Sequence, residues 1–301
     1  MAIKQAQLAE VARASAQSKH VIASGVTTAY WYYPARGKNP TNDSIVLIHG
    51  YRGNHHGLEA IAGAIKSFDV YIPDLPGFGK SQAFEENHDI NNYADWLNAF
   101  IEALSLKKKP HLLGHSFGSI VVSAYASRFN GISTLILENP VASPALMGPK
   151  ALVTAIARAF FWLAGALPEA SGDAILKSWP MVRGMSIIMT KSRIAELRRW
   201  IHLQHDQNFN DFASRRVALE GYTTSITNCV GDYADKIRVP VLMLIGERDD
   251  ITSVAQQHKL LASLESKKTK LEQFKQVGHL THYEIPEEIA DAIQSWVKSN
   301  D

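Results

Sequence analysis

The sequence predicts an α/β protein: a mostly parallel sheet with helices on both faces, interrupted by an inserted helical segment. Three observations carry this. Short β-branched runs alternate with stretches whose apolar residues recur at spacings near 3.6. The short runs are almost continuously apolar, as strands buried on both faces require. Between about residue 140 and residue 227 the strand signals vanish and helical segments replace them, after which the sheet pattern resumes.

The elements follow in order. The N-terminal "MAIKQAQLAEVARASAQSKH" alternates polar and small apolar residues and predicts a short amphipathic helix. It lacks the continuous apolar stretch of a secretory signal. "TTAYWYYPA" (27–35) alternates as a strand does and is expected to pair antiparallel at a sheet edge. Six further strands are predicted at "SIVLIHG" (44–50), "FDVYIPD" (68–74), "KPHLLGH" (109–115), "ISTLILEN" (132–139), "VPVLMLIGE" (239–247) and "KLEQFK" (270–275). "HGLEAIAGAIKS", "INNYADWLNAFIEAL", "SIVVSAYASRF", "SVAQQHKLLASLE" and "PEEIADAIQSWVKS" read as the helices between and after them. Strand and helix in alternation place consecutive strands parallel, with the connecting helices packed on the sheet.

The interruption carries Trp162, Trp179 and Trp200 together with the breakers Pro168 and Pro180. A segment that leaves a sheet and returns to it is expected to be a lid over one end. The domain reading is therefore a core of residues 1–139 and 228–301 and a helical cap of residues 140–227. Within the cap, "ALVTAIARAFFWLAGALP" (151–168) is mostly apolar, but Arg158 interrupts its middle. A cation there costs about 2.5–3.5 kcal/mol on insertion scales. The segment is expected to be a buried or groove-lining helix rather than a membrane span, with reversible lipid contact left open.

Composition narrows the functional classes. The chain has 301 residues, 46% hydrophobic and 20% charged, which suits one large domain with an insertion. A formal charge of +2 gives no reason to expect nucleic acid as a partner. The single cysteine, Cys229, excludes an intrachain disulfide and points to a reducing compartment, hence the cytoplasm.

The chemistry centres on "LLGHSFGSIVV" (112–122), where Ser116 stands between Gly114 and Gly118. It follows a predicted strand and precedes a predicted helix, which fits the G-x-S-x-G elbow. A strand turning sharply into a helix strains the serine backbone, and a Cβ at either glycine is expected to collide with its neighbours. The turn lifts Oγ above the sheet edge and sets the N–H of Phe117 at a helix N-terminus, facing a developing oxyanion. A helix N-cap serine is the plainer alternative. Two partners in chain order weigh against it. Asp249 sits after the strand "VPVLMLIGE", three residues past Gly246, and can hold an imidazole tautomer, with Asp250 and Glu138 as competing acids. His279 follows the last strand and precedes the final helix, with His282 as second choice. "IVLIHGYRGN" supplies a turn after a strand, where the N–H of Tyr51 provides a second oxyanion donor. The Tyr51 phenol is read either as a substrate contact or as a wall residue.

These residues resemble the α/β-hydrolase superfamily, in the branch with a helical cap, over nearly the whole chain. The resemblance is carried by "HGYRG" (49–53), "DLPGFGKS" (74–81), "GHSFGS" (114–119), "GERDD" (246–250) and "GHLTHYEIP" (278–286). It implies Ser116 as nucleophile, His279 as general base, Asp249 as orienting acid, and the Tyr51 and Phe117 amides as oxyanion donors. Many relatives carry glycine where Ser119 stands. "DLPGFGKS" also resembles a loop of haloalkane dehalogenases and epoxide hydrolases, whose nucleophile is aspartate; serine at 116 argues against both chemistries.

Other residues carry plainer readings. His49 and His115 are expected, by strand alternation, to point away from Ser116 and to be structural. His55 and His56 are adjacent and cannot share a helix face, which speaks against a metal. His202, His205 and Asp206 have a metal-compatible spacing on a lid helix, weaker than a structural reading. Arg198, Arg199 and "SLKKKP" (105–110) read as solvated. No cofactor or metal is implied. The expected function is hydrolysis of a carboxylic ester, or a related acyl bond, in a small hydrophobic substrate, because the lid is rich in Phe, Trp, Met, Leu and Ile. Carbon–carbon hydrolysis of a vinylogous diketone is the alternative on the same fold, and would use Arg183 or Arg193 to hold a carboxylate. A non-catalytic small-ligand receptor is the alternative of another class. A homodimer is left open.

Overall fold

The computed structural model describes residues 3–38, 40–144 and 151–300. Its centre is one eight-stranded sheet. The strands are β1 (Gln17–Ala23), β2 (Val26–Tyr33), β3 (Ser44–Ile48), β4 (Asp69–Pro73), β5 (His111–His115), β6 (Leu135–Glu138), β7 (Val241–Gly246) and β8 (Thr269–Phe274). Their spatial order is β1-β2-β4-β3-β5-β6-β7-β8. From β4 to β8 every pairing is parallel, with Leu47 opposite Leu113 and Leu113 opposite Ile136. β2 pairs antiparallel with both β1 and β4.

The helices before β6 are α1 (Lys4–Ser15), α2 (Glu59–Ala64), α3 (Ile90–Ala103) and α4 (Phe117–Ala126). Between β6 and β7 lie α5 (Ala151–Ala166), α6 (Glu169–Leu176), α7 (Trp179–Met189), α8 (Ala195–Asn208) and α9 (Arg215–Thr227). The chain closes with α10 (Val254–Ser263), the single turn α11 (Thr281–Glu284) and α12 (Pro286–Lys298).

Strand alternation divides the core into two layers. Ile45, Leu47, Leu113, Leu242 and Leu244 face one side and pack with Ile61 of α2 and with Ile289, Ile293 and Trp296 of α12. Val46, Ile48, Leu112, Val241 and Met243 face the other, against Trp96 and Phe100 of α3, Ile120 of α4 and Leu260 of α10. These strand residues are all fully buried. Each contributes about 1.5–3 kcal/mol by leaving water. α3 begins cleanly because the Asp89 carboxylate accepts from the N–H groups of Asn91 and Asn92.

Three expectations need correction. The edge strand is β1, not the 27–35 strand, which runs inside the sheet between β1 and β4. Gln17, Ser18, Lys19 and His20 of β1 are all exposed. An edge strand needs little apolar surface, so its polar run concealed it, and Lys19 there discourages pairing with another chain. The N-terminal helix accordingly stops at Ser15. The predicted helix at 56–67 is a 3-10 turn, His55–Leu58, followed by the short α2.

The 151–168 segment forms α5, as expected, and lines a surface groove with Arg158, Phe161 and Trp162. Phe161 is buried and stacks on Tyr222 of α9, with centroids 3.8 Å apart, whereas Trp162 is 73% exposed. α5 is therefore two-faced rather than buried all round. Among the described residues no helix is long and apolar enough to cross a membrane.

Candidate active site

The parallel strands deliver three loops to one edge of the sheet. Ser116 occupies the turn from β5 to α4 with φ 52° and ψ −118°. This is the left-handed half of backbone space, and holding a serine there costs about 1–3 kcal/mol. The neighbours impose it. A Cβ at Gly114 would lie 2.4 Å from the Gly118 carbonyl oxygen, and one at Gly118 would lie 2.4 Å from that of Ile48. Ser119, in the next turn, donates to the Ser116 carbonyl at 2.5 Å and accepts from Val141 N–H at 3.2 Å. A small hydroxyl there ties the elbow to the chain that follows β6.

His279 reaches Ser116 from the loop after β8. Its Nε2 lies 2.8 Å from Ser116 Oγ, and its Nδ1 lies 2.8 Å from Asp249 Oδ2. The second oxygen of Asp249 accepts from the N–H groups of Ile251 (2.6 Å) and Thr252 (3.3 Å). The side chains of His279 and Asp249 are 4% and 2% exposed, so the pair is shielded from competing water. The competing acids are elsewhere: Asp250 pairs with Lys191. Glu138 accepts from Thr281 Oγ1 at 2.5 Å and faces His115 and His282. His282 packs against His115 and makes no contact with Ser116.

Tyr51 and Phe117 flank the same pocket as Ser116. Among the described residues neither of their backbone N–H groups is spent on a hydrogen bond. Phe117 opens α4, where the first N–H groups have no intrahelical acceptor. The Tyr51 phenol is neither free wall nor free contact: it donates to the Ala218 carbonyl of α9 at 2.6 Å.

His49 and His115 both belong to residues that line the pocket, and His49 is held by structural hydrogen bonds. His49 Nε2 accepts from Leu75 N–H at 2.9 Å, so its Nδ1 carries the proton and donates to the Gly50 carbonyl. Burial lowers its pKa.

Two functional positions escaped the sequence reading. Asn139, at φ 42°, donates through Nδ2 to the carbonyls of His279 (2.6 Å) and Gly278 (3.3 Å). Its Oδ1 accepts from Gly246 N–H at 2.8 Å. One side chain thereby clamps the loop of Asp249 to the loop of His279. Its position directly after a strand end was the available signal. Arg52, fully buried at φ 62°, donates to the carbonyls of Leu176 and Phe209 and to Asn210 Oδ1. It fastens the turn after β3 to the helical insertion.

The cavity beside Ser116 has a volume of about 240 Å³. Met185, Met189, Val141, Ile226 and Ile251 give it apolar walls, and α8 adds Gln204, His205 and Asn208. His205 is buried, and its Nδ1 lies 2.7 Å from Ser186 Oγ. Ser186 also meets His202 Nδ1 at 2.6 Å, so this group of residues is a hydrogen-bonded brace inside the insertion. Burial, then the nearby His282, His202 and Arg183, push the His205 pKa down to about 3.

That shift has a sign. The unfolded chain takes up a proton at His205 near pH 6.5 and the folded chain does not. The resulting stability is whole above about pH 6.5 and is lost as pH falls from there toward about 3. Urea midpoints measured from pH 7.5 to 5 should fall in the wild type and fall less in His205→Gln. Equal slopes in the two proteins would remove His205 as the cause.

A parallel sheet whose strand ends gather a serine, a histidine and a carboxylate defines an enzyme of the hydrolase class. The chain belongs to the α/β-hydrolase family, whose sequence profile matches residues 45–292. Human monoacylglycerol lipase ABHD6 is 24% identical over 281 residues, covering 89% of this chain and 79% of that protein. The (E)-2-((N-methylformamido)methylene)succinate hydrolase of Acinetobacter baylyi is 26% identical over 302 residues, covering 94% of this chain and 98% of its own. Among solved structures, the esterase EaEST from Exiguobacterium antarcticum shares the fold with a TM-score of 0.75 at 20% identity, covering 94% of this chain and all of that one.

Proposed function

We propose that this protein is a cofactor-independent carboxylic-ester hydrolase working through Ser116, His279 and Asp249. The carrying observation is the unbroken contact from Ser116 Oγ to His279 to Asp249, with both links at 2.8 Å. His279 Nε2 takes the hydroxyl proton as Oγ bonds to the ester carbonyl carbon. Asp249 holds Nδ1–H and offsets the charge on the imidazolium. The N–H groups of Tyr51 and Phe117 receive the oxyanion. Collapse expels the alcohol, which leaves with the proton from His279. Water then gives a proton to His279, adds to the acyl carbon and releases the acid, and Ser116 recovers its proton.

Residues 140–227 act as the cap of this site, over a core of residues 1–139 and 228–301; residues 145–150 of that cap lie outside the described residues. The mostly apolar lining supports a small hydrophobic ester, and the similarity to lipases and esterases supports the reaction class. The volume of about 240 Å³ lies below the roughly 300–1,000 Å³ of most ligand pockets, which suits a small substrate. Carbon–carbon hydrolysis is less well supported. Arg183 is engaged with Asp206, and no Arg or Lys lines the cavity among the described residues.

Turnover of p-nitrophenyl esters across an acyl-chain series tests the reading. The expected result is hydrolysis with an optimum at short to medium chains. A folded protein that neither hydrolyses these esters nor is acylated at Ser116 sinks it. A burst of acylation without turnover would favour the receptor alternative.

A further inference from the structure

Behind His279 lies a second group of polar side chains that the proposed reaction leaves unused. His115 ends β5, Glu138 ends β6 and His282 sits in α11; they are 5%, 0% and 4% exposed. His115 Nδ1, Glu138 Oε2 and His282 Nδ1 are buried with no hydrogen-bond partner. Buried polar atoms are nearly always paired, so three orphans in one place call for an occupant. They converge: His115 Nδ1 is 3.7 Å from Glu138 Oε2, and His282 Nδ1 is 3.5 Å from Glu138 Oε1. One donor atom from each residue lies within 4.8 Å of the other two. Tetrahedral zinc with bonds of about 2.0–2.1 Å separates its ligand atoms by about 3.4 Å. The side chains are thus close to ligating distance already.

Charge points the same way. Among the described residues Glu138 has no lysine or arginine partner. A second cluster, His55, His56 and Glu59, has comparable spacing but its atoms are committed. His55 Nδ1 bonds Asp74, and Glu59 bonds Arg13 and His56. The contrast isolates the first cluster. Its histidines also belong to residues that line the active-site cavity.

We propose that His115, Glu138 and His282 form a binding site for a divalent transition-metal cation of the zinc type, and that its occupancy inhibits hydrolysis. The inhibition half rests on the ester-hydrolase reading. The His115 and His279 rings are 5.1 Å apart. A bound dication, only partly neutralised by Glu138, opposes the positive charge that His279 gains when it takes the serine proton.

Cobalt(II) added to the metal-free full-length protein is the first probe, because a tetrahedral site gives intense visible d–d absorption. The expected result is one cobalt per chain, displaced by zinc and unaffected by Ser116→Ala. Affinity should fall in Glu138→Gln and in His282→Asn by more than the roughly 10–100-fold that loss of an outer-shell partner costs. Two variants guard against one that fails to fold, and circular dichroism reports which are native. Zinc should reversibly lower ester turnover in the wild type, with chelator restoring it, and the half-inhibitory concentration should rise in both variants. No cobalt absorption in the native protein overturns the site and assigns the space to water. Cobalt lost in His279→Ala but kept in Glu138→Gln and His282→Asn also overturns it, by placing the metal on His279. The cobalt readout stands without activity, so its failure is distinguishable from failure of the ester-hydrolase reading.

Discussion

Ser116→Ala lowers ester turnover by about 10⁴–10⁶-fold, while circular dichroism and the unfolding midpoint stay close to wild type. The substitution removes one oxygen, and that oxygen is the atom 2.8 Å from His279 Nε2. The two amides and the cavity are untouched, so the residue of activity is what oxyanion binding and proximity supply without a nucleophile. Asp249→Asn is the informative companion. The amide can still accept from Ile251 and Thr252, but it also offers hydrogens, and it no longer balances an imidazolium. A loss of about 10⁴-fold is expected with substrate binding little changed. If Ser116→Ala retains wild-type turnover, the activity resides in another group and the proposed mechanism falls. Ser116→Gly separates chemistry from strain. It is equally inactive, but glycine relieves the φ of 52°, so it is expected to be more stable than Ser116→Ala by about 1 kcal/mol or more.

A large loss of stability is expected on substitution of Gly118. Its added Cβ would lie 2.4 Å from the Ile48 carbonyl oxygen and 2.7 Å from that of His49. Both are backbone atoms of the strand end that leads into the Tyr51 turn, so no flexible side chain can move aside. α4 must shift away from the sheet. Gly118→Ala is expected to cost roughly 3–5 kcal/mol and to lower Tm by roughly 5–10 °C. Activity should fall as well, because the same shift moves the Phe117 amide. Gly184, in α7, provides the control: nothing lies within 4 Å of an added Cβ. Gly184→Ala should be neutral or stabilising by about 0.5–1 kcal/mol. Thermal unfolding of the two variants side by side checks both statements, and equal midpoints would show that the close approach at Gly118 is absent.

Much of this was legible in the residues, for definable reasons. β3, β5, β6 and β7 are covered on both faces, so burial left a continuous apolar run in each. Ser116, Asp249 and His279, which the structure brings within hydrogen-bonding distance, stood out because each lies in a loop just after a strand. β1 was not legible, since an edge strand with four exposed polar residues has no apolar pattern to show. That His49 and His115 lie along the cavity was missed because strand alternation says nothing of the cavity's extent. Asn139 and Arg52 were missed for another reason. Each serves through hydrogen bonds to backbone carbonyls far away in the chain, from Leu176 and Phe209 to His279. A carbonyl acceptor leaves no trace in residue identity.

The consecutive residues Tyr51 and Arg52 carry a mechanical consequence. Tyr51 lines the same cavity as Ser116, while its phenol grips Ala218 of α9. Arg52 grips the end of α6 and the residues that follow α8. One short turn is therefore the latch of the inserted helices and, on the proposed mechanism, also a jaw of the oxyanion site. Displacing those helices strands a buried hydroxyl and a buried guanidinium, at about 1–3 kcal/mol for the former and more for the latter. On the proposed mechanism, opening the entrance and loosening the oxyanion donor are a single movement, so substrate admission and transition-state stabilisation would share one fastening.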